Sequence, residues 1–266
     1  MKMKSPIKFN FPDNFLIILA GFPASGKSTL AKELKLIIEK CSVRSVKIVD
    51  PDLIRSEIAP RFDFKLEQKV RKRHLELIEI SLSNGIIPIS DDLNYYSSMR
   101  HQLKEIAERL NKKFFIIHVS TPFETCLSWN NVRGNPIPNS VIKKIHKKFD
   151  YFHRYQWDTP VFKIDMSKVD NLESYVIDLL NSLDLKSKEE NVISPISDNF
   201  AQKLDVVTRQ IVSEFLQSQN YQKSKKKILK LRKLYLKEHV KNVRSQEKIE
   251  EDFTYFLKTN LKTNKI

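Results

Sequence analysis

GFPASGKST, from Gly21 to Thr29, stands directly behind the apolar run FLIILA of Phe15–Ala20. Gly21 to Ser28 matches the spacing G-x-x-x-x-G-K-[ST], with a strand-like run before it and a periodic, helix-like segment, Lys27–Lys40, after it. That order is what a phosphate cradle needs. Glycines let successive backbone N–H groups turn inward as a nest, and the start of the helix adds its positive dipole end. Gly21, Pro23, Ala24, Ser25, Gly26, Lys27, Ser28 and Thr29 therefore form the expected nucleotide-binding set. Lys27 would reach the β- and γ-oxygens and Ser28 would offer its hydroxyl to Mg²⁺. No N-K-x-D follows a later strand, so a guanine-reading switch is disfavoured and ATP is the expected nucleotide.

Working outward, apolar runs alternate with helical patterns in the order of a parallel sheet covered by helices. SVKIV (Ser45–Val49), GIIPIS (Gly85–Ser90), KFFIIHV (Lys113–Val119) and VFKID (Val161–Asp165) read as further strands. Pro88 points to an edge position or an irregularity in its strand. Lys65–Ser83, Ser97–Leu110 and Glu173–Leu183 read as helices. The expected fold class is α/β, a three-layer P-loop NTPase domain over residues 1–185. A polar, aperiodic stretch at 186–198 containing Pro195 reads as a linker, and an all-helical basic domain follows at 199–266.

The chain has 266 residues and a formal charge of +15, of which residues 201–266 carry roughly +9. A lysine-rich composition that merely solvates surfaces accounts for part of this. The concentration in the tail points to a polyanionic partner such as nucleic acid. Lys223–Lys241 places Ile228, Leu231, Leu234 and Tyr235 on an apolar stripe, with Lys225, Lys226, Arg232 and Lys233 as the expected RNA-facing set. No window is apolar enough for a membrane span, and no signal peptide is read at the basic N-terminus. Cys41 and Cys126 have neither metal-ligand nor disulfide-framework spacing, which suits a reducing cytoplasm. His146, His153 and His239 show no metal-like grouping.

Two acidic positions follow strands. In Asp50-Pro51-Asp52-Leu53-Ile54-Arg55, Asp50 suits an N-cap and Pro51 the first helical position. Asp52 and Arg55 then share one helical face, where the carboxylate could take a proton from an attacking hydroxyl and the arginine could clamp anionic oxygens. A capping acid beside a surface ion pair is the plainer alternative. Asp91 and Asp92 close the third strand, as a carboxylate that holds Mg²⁺ would, with Asp91 the first choice by register. Tyr95 and Tyr96 follow on the same rim.

The combination G-x-P-x-S-G-K-S-T, D-x-x-R and D-D-x-N-Y-Y-x-S-M-R resembles small P-loop kinases related to polynucleotide 5′-kinase, and above all the L-seryl-tRNA(Sec) kinase family. That family's lid run is similar to Trp129-Asn-Asn-Val-Arg133-Gly-Asn-Pro-Ile-Pro138, then Val141-Ile142 and Lys148-Phe149-Asp150. Tyr155-Gln-Trp157-Asp158-Thr-Pro160 and Ile164-Asp165 follow the segment that closes its domain. The resemblance implies ATP and Mg²⁺ at Lys27 and Ser28, Asp52 and Arg55 as essential to transfer, Arg133 as a lid arginine and a lid at about 129–155. It also implies serine-charged tRNA(Sec) as partner and permits a homodimer. Trp129 departs from the arginine that usually begins the lid motif; the Elongator-associated ATPases of tRNA modification carry tryptophan there. Those ATPases, which transfer no phosphate, and the 5′-hydroxyl polynucleotide kinases are the competing readings. Independently of the family, Val141, Ile142, Ile145 and Phe149 make an apolar stripe opposite Lys143, Lys144, Lys147 and Lys148, as expected of a segment that closes over a site.

Overall fold

A computed structural model describes residues 8–58, 66–152, 155–188, 196–217, 221, 224–239 and 244–262. His153, residues 189–195 of the expected linker and the two ends of the expected helix Lys223–Lys241 lie outside them. The first apolar run forms strand β1 (Leu16–Gly21), every residue of it buried, and helix α1 (Lys27–Cys41) follows the phosphate loop. The chain continues through β2 (Val46–Val49), α2 (Pro51–Ile58), α3 (Glu67–Ser83), β3 (Ile87–Asp91), α4 (Ser97–Arg109) and β4 (Phe114–Val119). Helices α5 (Phe123–Val132) and α6 (Asn139–Lys148), strand β5 (Phe162–Ile164) and helix α7 (Leu172–Lys188) complete this part.

The five strands are all parallel in the order β2-β3-β1-β4-β5. β1 alternates its side chains between the two faces. Ile17 and Leu19 join Leu30, Leu34, Ile37 and Ile38 of α1 and Val176, Leu179, Leu180 and Leu183 of α7 in one buried cluster. Helices α3 and α4 pack on each other and against the sheet, giving the three-layer P-loop arrangement. Because the strands are parallel, the C-terminal ends of β1, β2 and β3 lie along one edge, where such sheets place their ligands. The loop after β1 and the acids after β2 and β3 meet there.

Pro88 is not on an edge strand: β3 is paired on both sides. Ile87 donates its N–H to the Ser45 carbonyl on the β2 side at 2.9 Å, so the Pro88 nitrogen faces β1. The β1 ladder begins only at Ile17 opposite Ile89, one residue later. The missing donor falls where no ladder bond was needed.

The chain divides into two compact units, residues 1–154 with 158–191, and 155–157 with 192–266. The expected linker is helical up to residue 188 and again from 196. The second unit contains helices α8 (Ile196–Gln217), α9 (Lys225–His239) and α10 (Gln246–Lys262). Phe200, Leu204, Val207, Ile211, Ile228, Leu231, Tyr235, Ile249, Phe253 and Leu257 are its core. Of the expected α9 stripe Leu234 is the exception, 44% exposed, while Ile228, Leu231 and Tyr235 are buried.

Candidate active site

The loop between β1 and α1 takes left-handed backbone at Ala24 (φ 61°) and Gly26 (φ 95°). This conformation turns N–H groups toward a common centre. Alanine there carries local strain, of order 1–3 kcal/mol, that a built binding loop tolerates. A Cβ on Gly21 would stand 2.5 Å from the Val119 carbonyl oxygen, so the loop can leave the sheet only through glycine. Thr121, fully buried, donates its hydroxyl to the Ser25 carbonyl at 2.8 Å and accepts from the Met166 N–H at 3.1 Å, propping the loop from behind. Phe22 packs its ring against Phe123, His146 and Phe149. Pro23 is buried, and Ser28 and Thr29 open toward solvent at the start of α1.

Lys27 is 7% exposed and folds back on its own loop, donating to the Phe22 carbonyl at 2.6 Å and the Gly21 carbonyl at 3.2 Å. Burial lowers its pKa, opposed by the nearby charges of Asp91, Asp92 and Asp52. The phosphate cradle and the three acids thus share one electrostatic basin.

The two acids at the end of β3 separate by task. Asp91 is 6% exposed and accepts a hydrogen bond from Ser28. Its carboxyl is pushed above the ordinary range, chiefly by burial, with the anions Asp50 and Asp92 adding to the effect and Ser28 and Lys27 opposing it. Asp92 turns away, accepting from Arg71 at 3.3 Å and from the Leu93 N–H at 2.6 Å. Arg71 is also anchored on the Met99 carbonyl at 2.8 Å, and its neighbour His74 lies 3.3 Å from the Ser90 hydroxyl. Buried beside that guanidinium, His74 is held down to about 4. Asn94, fully buried with φ 41°, donates to the Leu19 carbonyl at 2.8 Å and fixes the turn after the acids.

After β2, Asp50 accepts the Asp52 N–H at 2.8 Å, the N-cap role expected of it, and Pro51 opens the helix. Asp52 and Arg55 form the expected i, i+3 ion pair. The Asp52 side chain is 83% exposed on the rim. Arg55 is held from the other side by Glu67 of α3, Nε to Oε1 at 2.7 Å and Nη2 to Oε2 at 3.0 Å. These two carboxylates raise the Arg55 pKa further, Glu67 most. The guanidinium is thus aimed by a residue twelve positions away, and sequence reasoning missed Glu67 because nothing in its own helix marks it.

In the lid segment, Asn130 is fully buried and organises the turn: its Nδ2 donates to the Ile137 carbonyl at 2.7 Å and to Asn139 Oδ1 at 3.1 Å. Arg133 stands in the exposed part of that turn, and Trp129 is half-buried. Ile142 and Phe149 of the expected stripe are buried, Ile145 is half-buried, and Val141 is 40% exposed. Lys143, Lys144, Lys147 and Lys148 are all on the exposed side. Asp150 closes the segment, donating its N–H to the Tyr95 carbonyl at 2.8 Å. Beneath, Arg100 and Asp158 form an ion pair with no solvent exposure, at 2.5 Å and 2.6 Å. The sequence showed both residues in motifs but gave them no role.

Within the second unit, Lys225, Lys226 and Lys233 are exposed as expected. Arg232 is not. It donates to Asp205 Oδ1 at 2.6 Å, to the Asp205 carbonyl at 3.0 Å and to the Thr208 hydroxyl at 3.1 Å, tying α9 to α8. Asp205 is 1% exposed, and a carboxylate buried there needs its counter-ion inside.

With this geometry in place, comparison with known proteins gives the family. The model "Chromatin associated protein KTI12" matches residues 15–264. An L-seryl-tRNA(Sec) kinase of Methanococcus maripaludis is 34% identical over 93% of this chain and 100% of its own. The chain belongs to the family of L-seryl-tRNA(Sec) kinase and KTI12. The Schizosaccharomyces pombe protein kti12 is 25% identical over 77% of each chain. Among solved structures, Chaetomium thermophilum Kti12 in complex with ADP-AlF₃ superposes with a TM-score of 0.53, at 21% identity, covering 62% of this chain and 96% of that one. At that identity the likeness concerns the fold. The family and the site together make this a P-loop protein of the kinase and ATPase type. Among the described residues no helix is long and apolar enough to cross a membrane.

Proposed function

We propose that this chain is an ATP- and Mg²⁺-dependent kinase that converts Ser-tRNA(Sec) to O-phosphoseryl-tRNA(Sec). The observation that carries the reading is the Asp52–Arg55–Glu67 array on the rim of a phosphate cradle, in a chain that aligns with the full length of an L-seryl-tRNA(Sec) kinase.

The seryl Oγ attacks the γ-phosphorus, the bond to the β-γ bridging oxygen breaks, and ADP leaves. Asp52 takes the proton from the seryl hydroxyl; its exposure leaves room for a substrate to reach it. Arg55, fixed by Glu67, orients the phosphoryl oxygens. Lys27 exchanges the Gly21 and Phe22 carbonyls for phosphate oxygens, and Arg133 closes from the lid, both countering charge that grows in transfer. Ser28 and Asp91 fit Mg²⁺: a hydroxyl and a hard carboxylate beside a nest, in a place already crowded with negative charge. Among the described residues no three acidic, histidine or cysteine side chains form a cage, which suits an ion that keeps water and phosphate ligands. When bound, that ion would neutralise phosphate charge. Exposed Lys225, Lys226 and Lys233 supply phosphate contacts that position the tRNA without reading sequence.

Trp129 and the KTI12 model match favour one other reading, a tRNA-stimulated ATPase that transfers nothing. One assay separates the two: γ-labelled ATP is incubated with seryl-tRNA(Sec), uncharged tRNA and a 5′-hydroxyl oligonucleotide, and the label is located. Label on serine, lost in Asp52→Ala with ATP binding retained, supports the kinase. Label only in free phosphate or on a 5′ end refutes it.

A further inference from the structure

Outside the phosphate cradle, the second unit contains a cavity of about 310 Å³ between α9 and α10, lined by Tyr235, His239, Arg244, Asp252, Tyr255, Phe256, Thr259 and Asn260. One wall is aromatic. The Tyr235 ring lies 4.2 Å from the His239 ring and 5.3 Å from that of Phe256, and Tyr255 stands at the rim, 73% exposed. The other wall is polar, with the Arg244–Asp252 ion pair at 2.5 Å and the Thr259 and Asn260 side chains. Two polar atoms here have no hydrogen-bond partner among the described residues. The Tyr235 hydroxyl, on a residue 2% exposed, and His239 Nδ1 are both buried without a hydrogen bond. Buried groups of this kind are ordinarily satisfied, so an orphaned pair beside a cavity points to a missing ligand or its water.

We infer that this cavity is a receptor for one unstacked nucleoside of an RNA. The chemistry chooses the class. An isolated anion has no use for an aromatic wall, and Asp252 would repel it. A purely apolar ligand would leave Arg244, Asp252 and the orphaned atoms desolvated. A nucleobase has a π-face for the rings and both donors and acceptors along its edge. The cavity volume sits at the low end of ligand sites, which suits a single base and its sugar. The surrounding tail, roughly +9 over residues 201–266, supplies the field that holds the flanking phosphates. Tyr255, exposed with nothing to support it in the core, is the stacking residue. The choice of RNA rests on the function proposed above, but the pocket does not depend on phosphoryl transfer.

The test uses the full chain, without ATP, and two fluorescent RNAs of equal length: a single strand of mixed sequence and a blunt, fully paired duplex. Both carry 4-thiouridine. The expected result is a 4-thiouridine cross-link to peptides within residues 235–260 from the single strand and none there from the duplex. Tyr255→Ala should weaken single-strand binding roughly five- to 150-fold, the range of one lost base stack, and leave duplex binding within twofold. Far-ultraviolet dichroism and melting of that surface variant serve as the folding control, and His239→Ala, read by cross-linking, is the second variant. The inference is overturned if the single strand cross-links only elsewhere, or if folded Tyr255→Ala binds it like the parent. In that case the cavity takes a different ligand, such as a peptide segment. Because neither readout needs catalysis, loss of the kinase assay with a retained cross-link would sink the proposed reaction and keep the pocket.

Discussion

Replacing Asp91 by asparagine should stabilise the free chain and weaken its hold on Mg²⁺–ATP. Asp91 is buried at the end of β3, accepts from Ser28, and faces the negative charges of Asp50 and Asp92. Its carboxyl is raised in the fold despite the attraction of Lys27, so burial and like charge outweigh the favourable contacts. The sign follows. A carboxyl raised above its unfolded value of 3.8 leaves stability intact below that pH and removes stability as pH climbs through the folded value. At pH 7.5 the penalty is present in full. Asparagine keeps the shape and a carbonyl oxygen for Ser28 but removes the repelled, buried charge, and a stabilising substitution commonly returns about 0.5–2 kcal/mol. For a domain of this size that is a melting rise of roughly 1–8 °C. Calorimetry in EDTA should show that rise, shrinking as the pH is lowered toward 4. Saturating Mg²⁺–ATP stabilises the parent by about 2.7 kcal/mol at a hundredfold excess over Kd. A variant with tenfold weaker binding gains about 1.4 kcal/mol less, so the order of melting temperatures should narrow or invert. A variant that melts below the parent in EDTA at pH 7.5 refutes the argument, because Asp91 would then be a structural carboxylate and not a ligand held in waiting.

Glu67→Ala should release Arg55 and lower kcat for phosphoryl transfer by roughly 10- to 100-fold with KM for ATP nearly unchanged, since misplacement costs rate more than binding; an unchanged kcat in steady-state assays counts against the array. Arg232→Met should destabilise the helical unit by about 2–4 kcal/mol in urea titrations, less than a fully orphaned buried charge because Arg209 still reaches Asp205 at 3.1 Å. Lys233→Ala should stay within about 0.5 kcal/mol in the same titration yet reduce the salt slope of RNA binding by about one, a difference that equal slopes would contradict. His74, held near 4 by burial and Arg71 against 6.5 unfolded, contributes stability that is whole above pH 6.5 and lost as the pH falls through 4. The ceiling is about 3 kcal/mol. His118, also held near 4, loses stability over the same range, so His74→Gln should flatten only part of the decline in unfolding free energy between pH 7 and 4.5.

Local patterns were legible. The nucleotide loop, the strand before it, the N-cap at Asp50 and the Asp52–Arg55 pair all depend on residues within a few positions of one another, and each stands where the sequence placed it. Long-range partners were not. Glu67 holds Arg55 from the next helix and Thr121 props Ser25 from beyond β4; each is a polar residue whose partner lies outside its own element. Arg232 shows the same limit from the other side. Its spacing put it among the lysines of a basic face, but the carboxylate it answers lies on α8, and a buried charge draws its partner inward.

The amino-acid order alone determined a loop with the spacing of a phosphate cradle between β1 and α1, since the left-handed turns and the helix start are properties of about ten consecutive residues. It also fixed which strands alternate with which helices, and hence a parallel sheet. Only the tertiary structure decided which of Asp91 and Asp92 faces the cradle, that Pro88 could lie in a central strand, and which cations of the tail face outward. Those outcomes turn on which groups from distant segments meet in low dielectric, where an unpaired charge or donor is expensive. No window of sequence contains both members of such a pair.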